Sequence, residues 1–119
     1  MTSEAQDTAG GLRITRHTDA GVTVLRLEGE LDLASAPDLS AAAQQAFAGA
    51  RRPVVLDMSG VSFIDSTGVR TLLEAQQLAG QALVLMAPSR AVTRVLDLTQ
   101  LRGRFVEIDA HADLAMLEG

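Results

Sequence analysis

One stretch near the middle of the chain limits the fold more than any other. It runs Val-Val-Leu-Asp-Met-Ser-Gly-Val-Ser-Phe-Ile-Asp-Ser-Thr-Gly-Val, from Val54 to Val69. It opens as a buried strand, because Val54, Val55 and Leu56 form an apolar run behind Pro53. It ends as a helix, because Val69, Leu72, Leu73 and Gln76 recur at helical spacing. Between the two lies Asp65-Ser66-Thr67-Gly68, small and polar. Asp, Ser and Thr cap helix N-termini, since their oxygens accept bonds from the first free N–H groups. A hydroxyl placed there faces the positive end of the helix dipole, which favours anionic groups. Such a position suits the addition and removal of a phosphate.

The 119 residues fit one domain around one core, and 47% hydrophobic residues exclude a disordered chain. No apolar run is long enough to cross a bilayer, and the N-terminus lacks the basic-then-apolar order of a secretory signal. The expected location is therefore the cytoplasm, with no membrane insertion. There is no Cys, hence no disulfide framework and no thiolate metal site. A formal net charge of −5 argues against nucleic acid as a partner. All ten basic residues are Arg.

Residues 1–11 are small and polar, end in Gly10-Gly11, and are expected to be a disordered tail, leaving 12–119 as the domain. Leu12 to His17 alternates as a short strand, Thr18 to Gly21 is a turn, and Val22 to Glu28 is its hairpin partner. Gly29-Glu30-Leu31-Asp32 follows as a loop. Ser35-Ala36-Pro37-Asp38 opens a helix: a hydroxyl cap, a Pro in the first turn, an acid at the dipole. Leu39, Ala42, Ala43, Ala46 and Phe47 make its buried stripe, and Gly49 ends it. Arg51-Arg52 reads as a solvated turn.

Beyond the central stretch, Arg70, Glu74 and Gln77 share an exposed helix face that Gly80 closes, and Arg70 and Glu74 are spaced to pair. Ala82 to Met86 is apolar throughout, a strand buried on both faces. Pro88-Ser89 starts a further helix with Val92, Val95 and Leu96 inward. Phe105 to Ile108 is a last short strand, and Asp109 caps a final helix carrying Leu114, Ala115 and Leu117. Strands and helices alternate after the hairpin, which implies parallel strands joined by right-handed crossovers. Loops at the carboxyl ends of such strands carry the sites, and Asp65–Gly68 is one of these loops.

Nothing in the chain marks a catalytic centre. There is no Gly-x-Ser-x-Gly elbow around Ser66, no phosphate-binding Gly-x-x-x-x-Gly-Lys loop and no Gly-x-Gly-x-x-Gly. His17 lies at a strand end, and neither it nor His111 stands at metal-ligand spacing from a carboxylate. No enzyme activity, cofactor or metal is expected.

The stretch from Val54 to Val69 closely resembles the signature of the STAS family, the sulfate transporter and anti-sigma factor antagonist domains. That signature runs from an apolar strand through Asp, Leu or Met, Ser, Gly and Val. It continues with Phe-Ile-Asp-Ser-Ser/Thr-Gly and an apolar helix. The resemblance extends from Leu12 to Leu117. It implies a single α/β domain, a mixed, mostly parallel sheet of about five strands with about four helices.

The resemblance also implies a function, that of a bacterial anti-sigma factor antagonist. In that family the unphosphorylated domain binds an anti-sigma factor that is usually also a serine kinase using ATP, and the sigma factor is released. The kinase then phosphorylates the domain, which lets go, and a serine phosphatase restores it. Ser66 matches the modified residue. Thr67 is the less favoured acceptor, since the family modifies the first hydroxyl of the pair. Asp32 matches the Asp of a Gly-Glu-Leu-Asp element lining the same face. Asp32, Asp65, Ser66, Thr67, Gly68 and Arg70 are the expected partner-binding residues. Arg70 stands where the family often has a small residue, one turn from Ser66, and can face the partner or a phosphate. Ser66 as a plain helix cap is the simpler alternative, disfavoured by Asp65 before it and Gly68 after it. Asp57 is expected to hold the following turn by hydrogen bonds. The alternative function is a STAS subunit of a transport or scaffold complex without a sigma-factor switch.

Overall fold

A hairpin of Leu12–Asp19 and Val22–Leu31 forms the antiparallel part of the sheet, with Glu4–Asp7 beside it. The computed structural model describes residues 4–7, 11–49, 53–79, 83–110 and 114. Strand β2 (Leu12–Asp19) pairs antiparallel with β3 (Val22–Leu31), with Asp19 opposite Val22. The two residues between them, Ala20 and Gly21, have φ of 53° and 77°. Positive φ at both positions marks the turn whose twist matches the strands it joins. Strand β1 (Glu4–Asp7) pairs antiparallel with β2 on its outer side. Within the segment 1–11, expected as a disordered tail, Glu4–Asp7 is thus a strand. The polar composition of that segment is no obstacle, because an edge strand is held by backbone groups that β2 would otherwise leave unpaired.

The rest of the sheet is parallel. Helix α1 (Ala36–Gly49) connects β3 to β4 (Val54–Ile64), α2 (Ser66–Ala79) connects β4 to β5 (Leu83–Met86), and α3 (Arg90–Leu98) leads through a 3-10 turn (Arg102–Arg104) to β6 (Val106–Ile108). Among the described residues the sheet has six strands in sequence order, mixed because only the β1–β2 and β2–β3 pairings are antiparallel. Three α-helices lie among the described residues, where about four were expected. The expected final helix falls on residues that are not described, except Leu114, which is buried; Arg51-Arg52 and Gly80 also lie outside the described residues.

All three helices pack on one face of the sheet. Leu39, Ala43 and Ala46 of α1, Val69 and Leu72 of α2, and Val92 and Leu96 of α3 share a core with Leu25, Leu27, Leu31, Leu56, Met58, Val61 and Ile64. Ser89 caps α3, its Oγ accepting from Val92 N at 3.3 Å. On the other face Val22, Val24, Val55, Val84 and Met86 cluster with Leu114, and Ile108 packs against them. β5 is buried throughout, as its unbroken apolar run predicts. Among the described residues no helix is long and apolar enough to cross a membrane.

Strand β4 is much longer than its apolar run. Its pairing with β3 slips twice: Arg26 opposes Asp57 but Glu28 opposes Gly60, and Gly29 opposes Val61 but Glu30 opposes Phe63. At each slip β4 contains one extra residue, which is a bulge. Side chains supply hydrogen bonds at both places. Asp57 Oδ1 accepts from Ser59 N at 3.1 Å and from Ser59 Oγ at 2.8 Å. Ser62 Oγ donates to Gly29 O at 3.2 Å. The expected role of Asp57 is thus seen, at a bulge instead of a turn. Gly29 itself has φ +117°, and a Cβ there would lie 2.1 Å from Gly11 O, so a side chain is excluded.

Candidate functional site

The site forms where β3 and β4 end side by side. Leu31 is paired with Ile64, and Asp65 N donates to Leu31 O at 3.3 Å. The next residues, Asp32 and Asp65, therefore leave neighbouring parallel strands at the same level, with strands about 4.8 Å apart. Each carboxylate then starts a helix in its own way.

Asp32 is half-buried and organises a tight turn. Its Oδ1 accepts from Ala34 N at 3.1 Å and Ser35 N at 3.2 Å. The contact to the residue two ahead is the side-chain turn that Asp favours. Ser35 is fully buried; its Oγ accepts from Asp32 N at 3.0 Å and donates to Glu30 O at 2.8 Å. The expected hydroxyl cap of α1 is therefore corrected. Ser35 sits at the helix start, but its hydroxyl is tied back to the strand, and Asp38 N bonds Ser35 O instead. Glu30 and Leu31, read as loop, belong to β3, because the bulges in β4 let the ladder continue.

Asp65 is the cap of α2. Its Oδ1 accepts from Gly68 N at 2.9 Å, and its carbonyl accepts from Val69 N at 3.0 Å. This is the bond an N-terminal cap makes to the third helical residue. Ser66 is the first residue of the helix and is exposed, and its hydroxyl has no hydrogen-bond partner among the described residues. The capping role open to Ser66 in the sequence is thus filled by Asp65. Thr67 is half-buried, and its carbonyl accepts from Thr71 Oγ1 at 3.0 Å.

Gly68 does not reach the surface. It is buried, and a Cβ there would lie 2.7 Å from Leu31 O and 2.8 Å from Ile64 Cγ1. Expected among the partner-binding residues, it has a packing role here: it lets α2 start directly against the ends of β3 and β4. Arg70 is exposed one turn beyond Ser66. Neither Arg70 nor Glu74 has an ion-pair partner among the described residues, so the spacing that allows their pairing is not used. A groove of about 320 Å³ lies between α1 and α2, lined by Ser40, Gln44, Thr71, Glu74 and Leu78 among others.

Two apolar residues that the reading of the sequence did not single out flank the carboxylates. Leu33, next after Asp32, is 73% exposed, and Phe63, two before Asp65, is 48% exposed. A Leu inside a polar turn, where nothing in the local pattern buries it, is the signal that could have found the first. Phe63 adjoins the buried Ile64 in a strand, so it points to the opposite face of the sheet. Among the described residues no group of three His, Cys, Asp or Glu side chains is placed to hold a metal.

The site and fold can be set beside known proteins. A family model described as "Mlab, STAS domain" matches residues 14–108. The anti-sigma-F factor antagonist RsfB of Mycobacterium tuberculosis is 35% identical over 75 residues, which is 62% of this chain and 62% of that protein. The chain thus aligns with less than two thirds of this relative's length. An anti-sigma factor antagonist from Mycobacterium paratuberculosis superposes with a TM-score of 0.73 at 26% identity, over 99% of this chain and 94% of that one. The Bacillus cell fate determinant SpoIIAA in its phosphorylated form superposes with a TM-score of 0.62 at 28% identity, over 87% of this chain and 96% of that one. With the family model covering most of the chain and the sheet and helices in place, this protein belongs to the STAS domain family.

Proposed function

We propose that this chain is an anti-sigma factor antagonist whose binding is switched by phosphorylation of Ser66. One observation carries the reading. Ser66 opens α2 with its hydroxyl exposed and unbonded, because Asp65 does the capping. A serine retained for stability would be expected to make the cap bond itself. The similarity to RsfB, an anti-sigma-F factor antagonist, supports the partner class, and the similarity to SpoIIAA, solved in a phosphorylated form, supports the modification.

In the unphosphorylated protein, Asp32, Asp65, Ser66, Thr67 and Arg70 present a polar rim to an anti-sigma factor, and Leu33 gives that rim an apolar anchor. Binding of the anti-sigma factor frees its sigma factor. The anti-sigma factor, acting as a serine kinase in the cytoplasm, then brings ATP to the rim. Ser66 Oγ bonds to the γ-phosphorus, the bond from that phosphorus to ADP breaks, and the hydroxyl proton passes to a base on the kinase. The phosphate sits at the N-terminus of α2, where the helix dipole and free N–H groups favour an anion. A serine phosphatase returns the hydroxyl by hydrolysis. This chain is the substrate of those enzymes and supplies no catalytic group.

The test is incubation with kinase-type anti-sigma factors from the source genome and ATP, with the site mapped by mass spectrometry. Phosphate on Ser66, accompanied by loss of binding, is the expected result. Binding that ignores the state of Ser66 would favour the transport or scaffold alternative, and phosphate elsewhere would overturn the site.

A further inference from the structure

Arg70 and Ser66 stand at i+4 and i on α2, and both are exposed. Residues at that spacing are neighbours on one helix face, with Cβ atoms about 5–6 Å apart. Helical side chains also lean toward the N-terminus. That lean carries the Arg70 stem toward Ser66 and away from Glu74 in the following turn. Arg70 has no carboxylate partner among the described residues, while Asp65 Oδ1 already accepts from Gly68 N. A cation without an internal partner therefore lies within one side chain's reach of the hydroxyl proposed to carry a phosphate.

We infer that Arg70 is the internal counter-ion of phosphorylated Ser66, and that phosphorylation thereby withdraws Arg70 from the surface offered to the partner. The inference rests on the proposed modification of Ser66. A guanidinium suits the task, because its planar fork binds phosphate oxygens two at a time. The switch then has two parts. The phosphate adds negative charge beside Asp32 and Asp65, and it also occupies Arg70, a cation that a partner carboxylate can use. Arg70 has a second effect on the phosphate. Asp65 before Ser66, Asp32 on the neighbouring strand end and Glu74 along α2 favour the singly charged phosphate; Arg70 favours the doubly charged one.

The experiment uses full-length protein with phosphoserine installed at position 66 during translation, so no kinase is required. Titration of the phosphate by phosphorus NMR compares the wild-type chain with Arg70→Ala and Arg70→Lys. Arg70→Ala should raise the second phosphate pKa by about 0.5, and Arg70→Lys should recover part of the difference. Should Arg70→Ala fail to fold, the wild-type pair decides: the Arg70 Nε–H resonance should shift between the unphosphorylated and phosphorylated proteins and exchange more slowly in the latter. An identical phosphate pKa with and without Arg70, or an unmoved Arg70 resonance, overturns the pairing while leaving the switch at Ser66 intact. Conversely, a lowered pKa in a protein that no kinase modifies would overturn the switch and leave the pairing.

Discussion

At the scale of single residues, the rim divides its labour between neighbours, and substitutions should separate the roles. Ser66→Ala removes a hydroxyl without hydrogen-bond partners among the described residues, so stability should stay within about 0.5 kcal/mol of wild type. Phosphate incorporation should vanish. A thermal melt and a kinase assay on the same preparation check both. Asp65→Ala should behave oppositely, losing about 0.5–2 kcal/mol with the cap bond to Gly68 N. Asp32 calls for a finer pair, because its Oδ1 holds the turn before α1. Asp32→Asn keeps an acceptor oxygen and removes the charge, so it should fold as wild type and bind the partner less well. Asp32→Ala should lose stability as well, by about 1–3 kcal/mol if Ala34 N and Ser35 N find no other acceptor. Equal partner affinity for wild type and Asp32→Asn would remove Asp32 from the interface.

At the scale of elements, the start of α2 against the ends of β3 and β4 is the tightest junction in the site. Gly68→Ala must push Leu31 O or the Ile64 side chain aside. The expected cost is about 1–3 kcal/mol, with Ser66 displaced as α2 lifts from the sheet. Denaturant unfolding measures the first effect, and a lowered phosphorylation rate reads the second. A Gly68→Ala protein as stable as wild type would show that the junction yields more easily than backbone contact allows. The turn between β3 and α1 works differently, since it is held by the reciprocal bonds of Asp32 and Ser35 and leaves Leu33 outside.

Across the whole molecule, the site occupies one end of the sheet and the core lies behind it. Phosphorylation of Ser66 should therefore act through local charge and leave the fold intact. The phosphate adds about −1.5 to −2 charges and three acceptor oxygens at an exposed position. A partner packed on the rim must clash with that group or desolvate it, and an imperfectly paired buried charge costs several kcal/mol. At 1.4 kcal/mol per tenfold, affinity should fall by at least about a hundredfold. Calorimetry against the proposed anti-sigma factor partner reads the affinity, and circular dichroism of the phosphorylated protein reads the fold. A lost signal in circular dichroism would replace the local-charge explanation with unfolding.

The local chemistry of the chain was enough for the alternation of strands and helices, the buried stripe of α1, the apolar β5 and the motif from Asp57 to Gly68. Each depends on spacing within one element, and spacing is visible in sequence. The full length of β4 was not. Its helix-facing residues run Val54, Leu56, Met58 and then Val61 and Ile64, so the two-residue period breaks at the bulges. Bulges are set by how β3 and β4 register, and that register joins residues far apart in the chain. The same dependence decided the site. That Asp32 and Asp65 stand at one level follows from the Leu31–Ile64 pairing. That Asp65 caps α2 while Ser35 does not cap α1 follows from where each side chain finds its partner. That Gly68 serves packing follows from the nearness of Leu31. The residue types named a rim able to carry a phosphate; only the assembled sheet determined which of them face outward and which hold it in place.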